Sequence, residues 1–454
     1  MRILLINCPS KQKFVKEGRC QHKAGVFGTV YPPLTLVSMA TILKKRHSVW
    51  VIDAEIGNVK EKDVLKDIKN KGFELIIVNV SSPTAEKDIS FIKKLREIGY
   101  SKSIGALGIH ATFFAREFLE HTPVDFVILG EGETFALSLS EARQLSLKDA
   151  LGVAYRDKKG VKFNANPKPD VDALPIPDWC LIDYKKYRIP LFDKPYVIVQ
   201  IGRGCPYKCV FCIAPYHYGS KVRSKSVKKI IIEIENGLSL GVRDFFFFQE
   251  TFNIDNGLIQ ELCRVIIKKR LNIRWFANSR ADLIDDETLR LMKKAGCWMV
   301  SLGIESLDQR VLNNARKGCT IQKLKEGINK INRAGILAMG QFIIGLPGDT
   351  LATMKKTVLL SKRIGLDFAV FYNATPFPGT ELYSQKYDRF YKKKGWDQSL
   401  EYSEISMKGG IDTNKIVKAA WISFYARPAL VIRLARKLGF WTLLRAAWSI
   451  IKLR

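Results

Sequence analysis

From residue 1 to about 150, short apolar runs alternate with segments whose apolar residues recur at helical spacing. The runs at 3–6, 49–52, 75–80, 104–107 and 126–129 predict strands. Between them, 34–43, 61–70, 86–99, 112–121 and 134–144 predict helices. That alternation implies a doubly wound, Rossmann-like parallel sheet with its ligand edge at the carboxyl ends of the strands. The turns expected on this edge are 7–10, 81–84, 108–111 and 130–133.

A hairpin-like stretch follows at 152–163, and Pro167, Pro169, Pro175 and Pro177 mark a connector. From residue 196 the alternation resumes. Strands are expected at 197–201, 244–248, 273–277, 298–302, 339–344 and 368–374, with helices around 227–238, 258–269, 286–294, 321–334 and 351–364. Six such units predict a partial (β/α)6 barrel, whose chemistry would sit on the loops after the strands. The pattern divides the chain into an α/β domain at 1–150, a hairpin and linker at 151–192, a barrel at 193–380 and a helical basic region at 381–454.

The last region differs from the rest, with no Asp or Glu after Asp412. In 440–453, Thr442, Arg445, Ser449 and Lys452 share one helical face, and Trp441, Leu444, Trp448 and Ile451 share another. An amphipathic helix at an anionic membrane surface has this build. A terminal helix docked on the barrel with its charges in solvent has it too, and both readings stay open.

Composition narrows the picture in three ways. The net charge of +30, from 74 basic and 44 acidic residues, favours a polyanionic partner, either nucleic acid or an anionic membrane. Nucleic acid is disfavoured, because no RNA-binding module is recognisable and the aromatics do not interleave with a basic stripe. Nine cysteines without framework spacing argue against a disulfide-stapled secreted fold. Of these, Cys8, Cys20, Cys180, Cys263, Cys297 and Cys319 read as buried small hydrophobes or free thiols. No secretory cleavage pattern and no run of about 18 apolar residues is seen, so a cytoplasmic protein is expected.

Candidate chemistry concentrates in Gly204-Cys-Pro-Tyr-Lys-Cys-Val-Phe-Cys212, directly after a predicted strand. Three thiolates at C-x3-C-x2-C spacing, Cys205, Cys209 and Cys212, can hold three irons of a four-iron cluster and leave the fourth open to another ligand. The glycines and Pro206 let the loop wrap around such a cluster. A structural zinc site usually needs four protein ligands, often from a second C-x2-C pair, and the chain has none.

Together with Ser279-Arg-Ala-Asp-Leu283, Leu302-Gly-Ile-Glu-Ser306, Phe342-Ile-Ile-Gly-Leu-Pro-Gly-Asp349 and Thr375-Pro-Phe-Pro-Gly-Thr380, this loop resembles the radical S-adenosylmethionine (SAM) superfamily. The resemblance is to the branch with an N-terminal cobalamin-binding domain. It implies a [4Fe–4S] cluster on Cys205, Cys209 and Cys212, SAM on the open iron, and a 5′-deoxyadenosyl radical that takes hydrogen from an unactivated carbon. Phe211 would lie near the adenine, Glu250 would hold the SAM ammonium, and Arg280 and Glu305 would face its carboxylate and ribose. Arg316 is a second candidate for the carboxylate. Similar chains often carry an acidic pair where this one has Gln249-Glu250.

On the N-terminal domain the resemblance places cobalamin along Ser81, Ser82, Gly108, His110, Gly130, Glu131 and Gly132. The chain has no D-x-H-x-x-G stretch to supply a lower cobalt ligand, and His110 reads as a turn residue. Leu107-Gly108 stands where a pair of glycines is usual. The implied activity is cobalamin-dependent C-methylation, with cyclisation or rearrangement on the same cofactors as the alternative. No catalytic residue is assigned beyond the cluster ligands. The implied partners are a small-molecule or lipid substrate, an external flavodoxin- or ferredoxin-type electron donor, and a peripheral anionic membrane contact.

Overall fold

The computed structural model describes residues 1–10, 12–18, 21–23, 30–57, 59–142, 144–189, 191–386, 395–397 and 410–444. The first sheet contains β1 (Arg2–Asn7), β4 (Ser48–Asp53), β5 (Leu75–Asn79), β6 (Ser103–Leu107), β7 (Phe126–Ile128), β8 (Val153–Asp157) and β9 (Gly160–Phe163). Its order is β4-β1-β5-β6-β7-β8-β9, and the first five strands are parallel. The short strands β2 (Phe14–Val15) and β3 (His22–Lys23) form a separate hairpin.

Both faces of the parallel strands are covered, so they appear in the sequence as unbroken apolar runs. Leu4, Ile6, Ile76, Val78 and Ala106 pack into one layer. Ile3, Leu5, Leu75, Ile77 and Leu107 pack into the other. The hairpin at 153–163 extends this sheet in antiparallel pairing, so it belongs with the first domain and not with the connector. The helix expected at 112–121 is two, Ile109–Phe113 and Ala115–His121, interrupted at Phe114 where ψ turns to 34°.

The second sheet runs β10 (Arg188–Ile189), β11 (Lys194–Gln200), β14 (Asp244–Phe248), β15 (Arg274–Ser279), β16 (Cys297–Glu305), β17 (Leu337–Ile344) and β18 (Phe368–Asn373). All but β10 are parallel, giving the six-unit partial barrel that the pattern predicts. Helices Thr413–Tyr425 and Pro428–Leu438 dock against it through Ala420, Phe424, Leu430 and Leu434. Arg433 and Lys437 reach the fully buried Asp367 at 2.8 and 2.9 Å. The chain is therefore docked as far as Leu443; Arg445, Trp448, Ser449, Ile451 and Lys452 lie outside the described residues. Among those residues, no helix is long and apolar enough to cross a membrane.

The two sheets meet at their carboxyl edges. A two-residue hairpin, β12 (Gly202–Arg203) with β13 (Arg223–Ser224), leaves the barrel mouth and carries Arg203 toward the turn after β7. The Arg203 guanidinium donates to Glu131 at 2.6 Å, to Glu133 at 2.6 and 3.0 Å, and to Gln200 at 2.9 Å. Arg223 also pairs with Glu131. The side chains of Arg203, Glu131 and Glu133 are at most 4% exposed. Further along the interface Tyr187 donates to Asp53 at 2.6 Å, and Tyr196 to the Val30 carbonyl at 3.1 Å.

Removing one partner of a buried ion group leaves the others desolvated and uncompensated. Arg203→Met is expected to lower unfolding free energy by about 3–5 kcal/mol. Denaturant unfolding of the purified chain checks this, with an exposed change such as Lys71→Met as a control expected to fall within about 0.5 kcal/mol of the parent.

Candidate active site

The cysteine loop is pinned by its backbone. Gly204, at φ +94°, could not be replaced without strain, since a Cβ there would lie 2.2 Å from the Lys221 carbonyl. Cys205 N–H donates to Gly219 O, Val210 N–H to Ala315 O and Cys212 N–H to Cys209 O, at 3.1 to 3.2 Å. Leu382 N–H donates to Val210 O at 2.8 Å. Cys205 and Cys209 are buried and Cys212 half-buried, and all three line one cavity at the barrel mouth. Phe211 lines the same cavity and packs on the small cluster of Val311, Ala315, Leu346 and Leu382.

Later strands deliver their residues to that cavity. Glu250, just past β14, accepts the Gly204 N–H at 2.9 Å, which fixes its carboxylate beside the loop. Thr251 Oγ1 lies 3.6 Å from Cys205 Sγ. Glu305 ends β16 with a left-handed backbone, φ +66°, at a bulge in the β16–β17 pairing. Its Oε1 accepts from Lys317 Nζ at 2.9 Å. Gly303 makes room for this pair, since a Cβ there would stand 2.6 Å from Glu305 Oε1 and 2.9 Å from Lys317 Nζ. Burial opposes the Lys317 charge, but Glu305 and Cys209 outweigh it and hold the ammonium above its ordinary pKa.

Arg280 lines the cavity with most of its donors committed. Nε and Nη2 bind Asp282 at 3.1 and 2.9 Å, Nη2 also binds the Lys317 carbonyl at 2.9 Å, and the guanidinium lies 3.8 Å from the Tyr207 ring centroid. It ties the cysteine loop to the end of β15 and to the turn at Lys317. Arg316 is not brought in; its side chain is 57% exposed and pairs with Glu381. The adjacent Lys317 is the cation that turns inward. Ser279 Oγ, on the cavity wall, is buried with no hydrogen-bond partner in the protein. Gln21 and His22 from the β2–β3 hairpin close another side, with the His22 ring edge-on to Tyr372 at 5.0 Å.

The donor set suits a cluster with SAM. Three thiols share one wall of the cavity, while among the described residues no three His, Cys, Asp or Glu groups converge as ligands of a single ion. Three thiolates at this spacing can take three irons of a four-iron cluster. Glu250, Lys317 and the Ser279 hydroxyl offer an anion, a cation and an unsatisfied polar group beside it, which suits a zwitterionic nucleoside.

The expected cobalamin edge is gathered at the ends of β5, β6 and β7. Gly108, at φ +110°, sits so close to β5 that a Cβ would meet the Val80 carbonyl at 2.3 Å, so the edge there is bare backbone. Gly130 likewise presents backbone at the end of β7, with Asn166 and Lys168 beside it. Leu107 does not stand on this edge: it is buried in the core layer with Leu5, Met39 and Phe135. Gly132 lies against the same layer, its missing Cβ 2.3 Å from Met39 Sδ.

Several polar groups of the edge are engaged within the protein. Ser81 bonds Thr84 at 2.7 Å, and Thr84 bonds Asp88 at 2.6 Å. Ser82 Oγ lies 3.2 Å from His110 Nδ1, and His110 Nε2 lies 2.9 Å from the Trp396 carbonyl. Glu131, expected to face the cofactor, is instead bound to Arg203 and Arg223 because it lies where the two domains meet. Those arginines outweigh the effect of burial and hold its carboxyl below the usual range. The edge thus offers small residues and backbone toward the barrel mouth, which suits a flat macrocycle better than a ligand held by charge. Of the remaining cysteines, Cys8, Cys263, Cys297 and Cys319 are buried and Cys180 is exposed; Cys20 lies outside the described residues.

Comparison with known proteins agrees with this layout. A family model for the radical SAM superfamily matches residues 199–360, and one for the B12 binding domain matches residues 24–139. An uncharacterised methyltransferase of Pyrococcus horikoshii is 30% identical over 445 residues, covering 95% of this chain and 94% of that protein. The anaerobic magnesium-protoporphyrin IX monomethyl ester cyclase of Rubrivivax gelatinosus is 28% identical over 372 residues, covering 79% and 67%. Among solved structures, the radical SAM methyltransferase TsrM from Kitasatospora setae, with cobalamin and a [4Fe–4S] cluster bound, superposes with a TM-score of 0.68. It is 18% identical, with 86% of this chain and 78% of that one covered, a likeness of fold.

Burial lowers the His110 pKa from 6.5 to about 4. The folded chain therefore keeps this imidazole neutral where the unfolded chain takes up a proton, and stability falls as pH drops from 6.5 to 4. The loss at the low end is about 3 kcal/mol. Thermal unfolding across that window should show a shallower pH slope for His110→Gln than for the parent.

Proposed function

Because the chain belongs to the cobalamin-binding branch of the radical SAM superfamily, we propose that it methylates an unactivated carbon of its substrate. The observation that carries this reading is one cavity lined by Cys205, Cys209, Cys212, Glu250, Ser279 and Lys317, at a barrel mouth that meets the carboxyl edge of the first sheet. Bound here, a [4Fe–4S] cluster, SAM and cobalamin would supply an electron, a hydrogen-abstracting radical and a transferable methyl group.

The chain's own residues bind, orient and enclose. In this reading Cys205, Cys209 and Cys212 hold the cluster, and the tie from Gly204 N–H to Glu250 keeps a carboxylate beside the open iron for the SAM ammonium. Lys317, protonated and steadied by Glu305, meets the SAM carboxylate in place of Arg316. Arg280 is a positioning residue, holding Tyr207 and the 317 carbonyl in place. Phe211 gives the adenine an apolar wall. His22, Tyr372 and Gln341 border the side left for substrate. Bringing the two cofactor sites to one mouth satisfies the proximity that transfer to a short-lived radical requires.

The reductant is an external one-electron donor of the flavodoxin or ferredoxin type, and the substrate a small molecule or lipid. A cytoplasmic setting fits thiols that must stay reduced. Cyclisation on the same cofactors is the second reading, favoured by the likeness to the Rubrivivax cyclase.

Two measurements test the proposal. Anaerobic reconstitution with iron, sulfide and cobalamin should give corrin uptake and, under reduction, conversion of SAM to 5′-deoxyadenosine and methionine by mass spectrometry. Absence of 5′-deoxyadenosine contradicts the radical reading, and absence of corrin uptake contradicts the cobalamin reading. Separately, Lys317→Met should leave cluster content unchanged and weaken SAM binding at least about tenfold, the loss expected for one hydrogen bond to a charged group. Arg316→Met should bind SAM as the parent does.

A further inference from the structure

Fourteen large apolar side chains are exposed among the described residues, and six of them fall within residues 422–444. They are Ile422, Val431, Ile432, Phe440, Trp441 and Leu444, between 46% and 75% exposed. Elsewhere such residues are scattered, as on any protein surface, but a concentration of this kind marks a contact surface.

The underlying helices are fixed in place. The Pro428–Leu438 helix is held by Leu430 and Leu434 in the barrel core and by Arg433 and Lys437 on Asp367. The preceding helix is held by Phe424 and by Tyr425 Oη, which donates to the Ala369 carbonyl at 2.9 Å. Leu443 also packs against the barrel core, which anchors the turn that exposes Phe440 and Trp441. With their inner faces spent on docking, these helices leave Val431 and Ile432 turned out to solvent.

Charge selects the occupant. From Thr413 onward the chain has no Asp or Glu, and Lys415, Lys418 and Arg436 are exposed in this region. A segment with exposed apolar side chains, aromatic residues near its end and cations without any acidic residue from Thr413 onward complements an anionic lipid surface, where the apolar side chains enter the acyl boundary and the cations meet headgroups. We propose that the outer face of residues 413–444 docks the enzyme onto anionic membrane. None of the six exposed apolar residues lines the cavity at the barrel mouth, so this proposal does not depend on the reaction assigned there.

The test uses the full-length protein and flotation with vesicles of phosphatidylcholine, with and without phosphatidylglycerol. Binding is expected only with phosphatidylglycerol and should weaken as salt is added. The double variant Ile432→Glu and Trp441→Glu should bind at least about tenfold more weakly, with iron–sulfur absorbance and SAM cleavage equal to the parent's. Lys418→Gln with Arg436→Gln should weaken binding while leaving the apolar residues intact. Absence of binding by the parent, or equal binding by parent and variants, overturns the proposal. So does a dimer in sedimentation velocity that Ile432→Glu dissociates, because it would assign the face to a second copy of the chain.

Discussion

The architecture depends on one buried group of charges. Arg203, Glu131 and Glu133 are almost fully withdrawn from water at the boundary between two sheets, and Arg223 joins them from the side. Desolvating such charges is costly, and close, bidentate geometry is what offsets it. Arg203 meets Glu133 in that way, and its remaining donors go to Glu131 and Gln200. Arg203 lies two residues before Cys205, and the two glutamates open the helix after β7. The pairing therefore fixes the cluster loop against the carboxyl edge of the first domain.

With the edges held, the rest of the mouth follows from strand ends. Each parallel strand of the barrel delivers its next residues to the same side, which is why residues as far apart as 205, 250, 279 and 305 share one cavity. The β2–β3 hairpin completes the enclosure and is itself anchored on the first domain. Lys16 binds Asp88 at 2.9 Å, and Glu17 accepts from Thr35 at 2.7 and 3.0 Å. The enclosure is thus built from both domains.

Much of this is legible in the sequence because the sheets are parallel and covered on both faces. Buried strands then read as plain apolar runs, and the chemistry sits at or shortly past the carboxyl end of each run. What is not legible depends on direction and on distant pairing. Arg316 and Lys317 are adjacent cations in one motif, and only the left-handed turn at Arg316, φ +50°, separates the outward side chain from the inward one. Glu131 pairs with Arg203 across 72 residues, a partnership no local pattern announces. Leu107 stands where glycine is usual, and only the period-two alternation of its strand sends the side chain into the core. Gln21 and His22 stand in a hairpin of two-residue strands, too short for any periodicity.

The central claim is that the cobalamin edge and the cluster loop open onto one mouth, held there by the Arg203 group. Electron paramagnetic resonance of the reconstituted enzyme tests it most directly, with the cluster reduced and bound cobalamin in its paramagnetic Co(II) form. Magnetic coupling between the two signals is predicted for the parent, and it should be lost or altered in Arg203→Met. Two independent signals in the parent enzyme would contradict the account.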